Sequence, residues 1–184
     1  CYHFPAATDP DFFPLTVLDS LLAGASSFNM FGGGISNKTS RLYRALVESE
    51  LTVGMSGGAQ ATIDPYLYSI VMVIHPERTP AEALAALDSE IARVQDEKVS
   101  EEEVARAVKQ AKALFAYGSE SITNQGFWMG YTEMFANYDW FENYLDNLAA
   151  VTPDDVQRVA KKYFQKKARV VGTYLPVNEE NTNE

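Results

Sequence analysis

Apolar positions along this chain change period several times, and each change marks an element. Phe13, Val17, Leu18, Leu21 and Leu22 fall at three- and four-residue spacing, the mark of one buried helix face. They predict a helix over about 10–23, capped by Asp9, with Pro14 tolerated in its first turn. A short strand over 1–4 precedes it and stops at Pro5. A loop over 24–35 follows, and Ser36 or Asn37 caps a second helix that lines Leu42, Leu46 and Val47 on one face. The pattern then becomes strand-like over 51–62, interrupted by glycines, and turns at Asp64-Pro65. Residues 66–75 (YLYSIVMVIH) give the clearest strand, and the two runs read as an antiparallel hairpin.

The second half is helical. Thr79-Pro80 starts a helix to about Lys98, with Thr as cap and Pro at the first helical position. Ser100 with Glu103 forms a capping box for a long helix carrying Val104, Val108, Ala111 and Phe115. An aromatic and methionine stretch follows over 127–144, at the spacing of a core face or of a face that meets a neighbouring domain. Thr152-Pro153 repeats the cap-plus-proline start for a helix to about Lys167, and 169–175 is the last strand. These elements predict an α+β fold, one antiparallel sheet covered by helices in a two-layer sandwich. Residues 1–176 form a single domain in this reading, and 177–184 a flexible tail.

Composition narrows the function. A net charge of -10 argues against nucleic acid, whose phosphates need a basic surface, and favours solubility and basic peptide partners. One cysteine, Cys1, excludes an internal disulfide framework. No run approaches the roughly 18 apolar residues of a membrane span, and no leader is visible. A soluble location in a bacterial cytoplasm or periplasm is expected ahead of secretion. The chain opens at Cys1 inside what reads as a strand, which suggests a piece of a longer protein.

The stretch 31–62 carries a family resemblance. Gly32, Gly33, Gly34, Ser40, Arg41, Leu42, Tyr43, Leu46 and Glu48 match a pattern like G-G-x-S-S-R-L-Y-x-x-L-V/R-E. It resembles the non-catalytic domain of the pitrilysin and insulysin type of zinc peptidases, which includes the mitochondrial processing peptidase subunits. The opening YHFPAATDPDFFPLTVLDSLL and the closing VTPDDVQRVAKKYFQKKARVVGTYLP resemble the family's first and last elements. One departure is informative. The lid half of such enzymes carries an Arg and a Tyr that contact substrate; here Val47 and Val53 stand in both places, and the run is one residue shorter. The resemblance therefore implies the half that also holds the metal domain.

Zinc hydrolysis needs three protein ligands, an open position for water and a general base. The two histidines, His3 and His75, lie on different strands with no carboxylate at helical offset. No metal or other cofactor is expected in this chain; zinc is expected in the parent's catalytic domain. Ser56-Gly57-Gly58 is not a nucleophile elbow, and Gly32–Gly34 lacks the Gly-Lys-Ser/Thr ending of a phosphate loop. The resemblance instead implies a substrate-binding strand at Gly57, Gly58, Ala59 and Gln60, which would add an unfolded peptide to the sheet edge. An ordinary bulge or bend explains the same glycines. Arg41 and Tyr43 read as surface and packing residues.

Two functions follow from the resemblance. In the first, this is an inactive substrate-chamber domain, partnered by a catalytic zinc domain of the same or another chain and by unfolded peptide. In the second, the parent is a structural or assembly subunit descended from such peptidases, without activity. Either way, surface uncovered by the loss of neighbouring domains would let the fragment self-associate.

Overall fold

A computed structural model of the chain describes residues 1–24 and 38–176. Three strands, β1 (Tyr2–Phe4), β2 (Thr52–Gly58) and β3 (Tyr66–Ile74), form an antiparallel sheet in the order β1-β3-β2. Tyr2 faces Tyr68 across β1 and β3; Gly54 faces Val73, and Gly58 faces Ser69, across β2 and β3. An irregularity between Thr52 and Gly54 lets one extra residue, Val53, bulge from β2.

Strand alternation divides the sheet into a buried and an open face. Tyr68 is buried, with Ile70, Met72 and Ile74 packed on the same side, while Leu67, Val71 and Val73 are exposed on the other. The α1 helix (Phe12–Leu22) lies against β2 and is itself packed by α3 (Glu101–Gly118), α6 (Tyr144–Ala149) and α7 (Pro153–Tyr163). The α2 helix (Pro80–Asp96) packs on α7, and α7 reaches β1. Val17, Leu18, Leu22, Leu148, Val156 and Val159 fill the space between these helices. The fold is α+β, with helices over one face of the sheet.

Three helix starts form where the local signals put them. Thr79 with Glu82, Ser100 with Glu103 and Thr152 with Asp155 each close a complete capping box. Other boundaries differ. The first helix begins at Phe12, because the Asp9 side chain accepts from the Asp11 amide at 2.8 Å and holds a turn before the helix. Ser36 and Asn37 lie outside the described residues. In their place the Ser40 hydroxyl accepts from the Tyr43 amide, and Tyr43–Glu48 forms a π-helical turn. The aromatic stretch is three helices: α4 (Ile122–Phe135), α5 (Tyr138–Glu142) and α6. Ala136 leaves helical geometry at φ -146, and Asn137 caps the next start by accepting from the Trp140 amide.

The expected last strand over 169–175 is not formed. Arg169 makes one isolated bridge to Tyr2, and Val170 exchanges backbone hydrogen bonds with Cys1 in both directions. Beyond that point no described residue stands beside the segment to continue a ladder, and Val171, Tyr174 and Leu175 are exposed. Strand propensity alone does not make a strand where a neighbour is missing.

Candidate functional site

Backbone orientation across the sheet fixes what β2 offers to a ligand. Cys1 donates to and accepts from Val170, so its polar backbone groups point away from β3. Those of Tyr2 therefore point toward β3, and the Tyr2–Tyr68 pair is hydrogen-bonded. By the same alternation Ser69, Val71 and Val73 turn toward β2 and bond Gly58, Ser56 and Gly54. The amide of His75 donating to the Leu51 carbonyl at 3.1 Å agrees with this parity. Met55 and Gly57 thus aim their N–H and C=O at the outer edge of β2, where no other described strand pairs.

The four expected substrate residues do not share one environment. Gly57 faces inward: a Cβ there would stand 2.7 Å from the Ala23 Cβ and 3.3 Å from the Tyr68 hydroxyl. That hydroxyl donates to the Asp19 carboxylate at 2.7 Å, both residues being buried. Burial, then the Asp19 charge, pushes the Tyr68 phenol well above its ordinary pKa. Gly57 is therefore required by packing. Gly58, opposite Ser69, belongs to the outward set. Ala59 and Gln60 lie past the end of β2, Ala59 packed against the core and Gln60 exposed. Gly54 and Met55 were not singled out by sequence; the signal that finds them is the register with β3, a non-local property. Gly54 is open, with nothing within 4 Å of where its Cβ would be.

The surface beside this edge is apolar and uncharged. The sequences of β1, β2 and β3 contain no Asp, Glu, Lys or Arg, and one histidine, His3. Val71 and Val73 are 59% and 57% exposed. The charges lie on the helices and the connecting segments. Asp11, nearly buried, takes Lys162 at 2.6 Å, the Tyr163 hydroxyl at 3.0 Å and Arg158. Burial raises its pKa, but the hydrogen bonds from Lys162, Arg158 and Tyr163 outweigh that and hold it below the ordinary range. Asp88 behaves alike: burial raises its pKa, and bonds from Arg169 and Lys166 outweigh that and hold it below the ordinary range. Arg41 pairs with Glu103 at 2.7 Å, tying the residues just before the π-helical turn to α3. Val53 is exposed at the bulge, and Val47 is half-buried in the π-helical turn. Gly32, Gly33 and Gly34 lie outside the described residues.

The residues present do not fit a catalytic zinc. His3 stands opposite Leu67, and His75 follows the far end of β3. Eight residues of strand place them roughly 26 Å apart. Among the described residues, no three His, Cys, Asp or Glu side chains gather where a metal could be held. The Nδ1 of His75 instead accepts from the Glu77 amide at 3.3 Å.

The aromatic stretch is mostly structural. Trp140 packs on Phe12, Phe13, Phe135 and Tyr144, with ring centroids 5.0–5.6 Å apart, and donates to the Ala7 carbonyl at 2.9 Å. The Tyr131 hydroxyl donates to the Ala61 carbonyl, anchoring the segment that follows β2. Met134 and Tyr138 remain exposed. No helix among the described residues is long and apolar enough to cross a membrane.

The family described as the peptidase M16 inactive domain matches residues 1–111. The inactive peptidase domain of a candidate zinc protease from Bordetella parapertussis superposes with a TM-score of 0.80 at 24% identity, over 97% of this chain and 89% of that one. A candidate zinc protease from Bordetella pertussis Tohama I gives 0.78 at 27% identity, over 96% and 91%. A protease from Helicobacter pylori gives 0.77 at 18% identity, over 91% of this chain and 38% of its own length. Among curated proteins, none matches the chain.

Proposed function

Because the chain belongs to the family of peptidase M16 inactive domains, we propose that it holds substrate for a zinc-dependent peptidase. The metal and the general base reside in a catalytic domain of the same or a partner chain. Here an unfolded peptide pairs as an added strand with the outer edge of β2, through the backbone groups of Met55 and Gly57. Gly58, Ala59 and Gln60 continue the path of the bound chain past the strand end. Main-chain pairing gives affinity with little dependence on sequence, which suits a domain that presents many peptides to one catalytic centre.

The observation that carries this reading is the orientation of Met55 and Gly57 on an edge that no described strand occupies. Exposed edges are templates for another chain, and this one is rich in small residues and carries no charge within the strand. The test is titration of an unfolded peptide onto the chain alone, with hydrolysis followed in parallel on the chain and on the full protein. Binding without cleavage by the chain, and chelator-sensitive cleavage by the full protein, are expected. Cleavage by the chain alone, or no binding at all, would overturn the proposal.

A further inference from the structure

We propose that this edge selects extended peptides carrying long apolar side chains at every second position, in place of the basic peptides that the net charge suggests. The inference rests on the edge reading above and adds a specificity to it. A strand docked on Met55 and Gly57 places its hydrogen-bonded residues opposite them. Its alternate residues then lie opposite Gly54, Ser56 and Gly58, on the open face. Those are non-hydrogen-bonded positions, where side chains approach most closely, with Cα atoms about 4.5 Å apart.

Glycine and serine leave a trough at these positions; above Gly54 there is open space to at least 4 Å. The far wall of the trough is β3, whose Val73 and Val71 stand beside Gly54 and Ser56 and are more than half exposed. A peptide residue opposite Gly54 stands two strand spacings, about 9.6 Å, from Val73, and only a long side chain lying flat over the glycine narrows that gap. A Phe, Tyr, Leu or Met from the peptide thus lies along the trough with its apolar end toward the two valines; Ala or Ser is too short to do so. A Lys or Glu in the same place loses water and meets no Asp, Glu, Lys or Arg on any of the three strands. The acidic residues that flank β2 in sequence, Glu48, Glu50 and Asp64, lie before and after the strand, and none stands on the face that carries Gly54, Ser56 and Gly58.

The probe is a labelled ten-residue peptide alternating Leu with Thr, compared with peptides carrying Lys or Glu in place of Leu, titrated onto the chain by fluorescence anisotropy. The Leu peptide is expected to bind at least about tenfold more tightly than either charged peptide. The double substitution V71T/V73T keeps β-branched residues at exposed sites and should abolish the preference while leaving weak binding of all three. Ser56→Phe, which fills the trough, should weaken the Leu peptide alone. Thermal melts confirm that both variants fold. Equal binding of the three peptides, tightest binding of the Lys peptide, or a preference that survives V71T/V73T would overturn the inference and leave the edge reading standing. Failure of every peptide to bind would overturn both.

Discussion

Replacing Gly57 with Ala isolates the contact that holds β2 on α1. The added Cβ would stand 2.7 Å from the Ala23 Cβ, well inside the 3.5–4.0 Å optimum for two carbons. Ala23 follows directly on α1, so its methyl cannot swing aside. Relieving that clash costs about 1–3 kcal/mol, as overpacking does. The same atom would press the Tyr68 hydroxyl at 3.3 Å, and loosening its bond to buried Asp19 adds about 1 kcal/mol. The total of about 2–4 kcal/mol corresponds to a fall in Tm of roughly 5–15 °C for a chain of 184 residues. Gly54→Ala is the control on the same strand. Its Cβ meets nothing within 4 Å, and relief of the glycine entropy cost should stabilise by about 0.5 kcal/mol. Both variants are compared by thermal and urea unfolding. If Gly57→Ala unfolds with the wild type, or the two variants are equally stable, the packing account of Gly57 is wrong.

Acid should act on the helix layer through Asp11. Its pKa is depressed in the folded state, so its contribution is present above the unfolded value of about 3.9 and is lost as pH falls through the lower folded value. Asp11→Asn should cost about 1–2 kcal/mol at pH 7, the cation partners being half exposed, and should flatten the decline in stability between roughly pH 5 and 2; an unchanged acid limb would refute this. The Thr52 hydroxyl is buried with no hydrogen-bond partner among the described residues, so Thr52→Val should raise stability by about 1 kcal/mol in urea unfolding; a loss would mean that the hydroxyl has a partner. Leu67, Val71, Val73, Ile122 and Met134 expose apolar surface, and sedimentation over a concentration series should reveal reversible self-association; a strict monomer would contradict it.

Local signals were legible in the sequence and non-local ones were not. Thr79, Ser100 and Thr152 announced their helices because a capping box is closed within four residues. Segment 169–175 misled because a strand needs a neighbour, which propensity does not report. The break at Ala136 was hidden because Tyr138, Trp140 and Phe141 continue the apolar pattern while Asn137 caps a new helix. At the site, the glycine-interrupted strand was visible, but its two adjacent glycines looked alike. Register separates them: Gly57 packs on Ala23 and Tyr68, and Gly58 belongs to the open face. Met55 offers backbone, which no side-chain pattern encodes.

Amide exchange measured residue by residue by NMR, with and without an unfolded peptide, tests the central proposal most directly. In the free chain the amides of Gly54, Ser56 and Gly58 face β3 and should exchange slowly, whereas those of Met55 and Gly57 face the outer edge and should exchange fast. Peptide should slow Met55 and Gly57 selectively. Protection that appears elsewhere, or no change at these two amides while peptide is bound, would contradict the docking of substrate on β2.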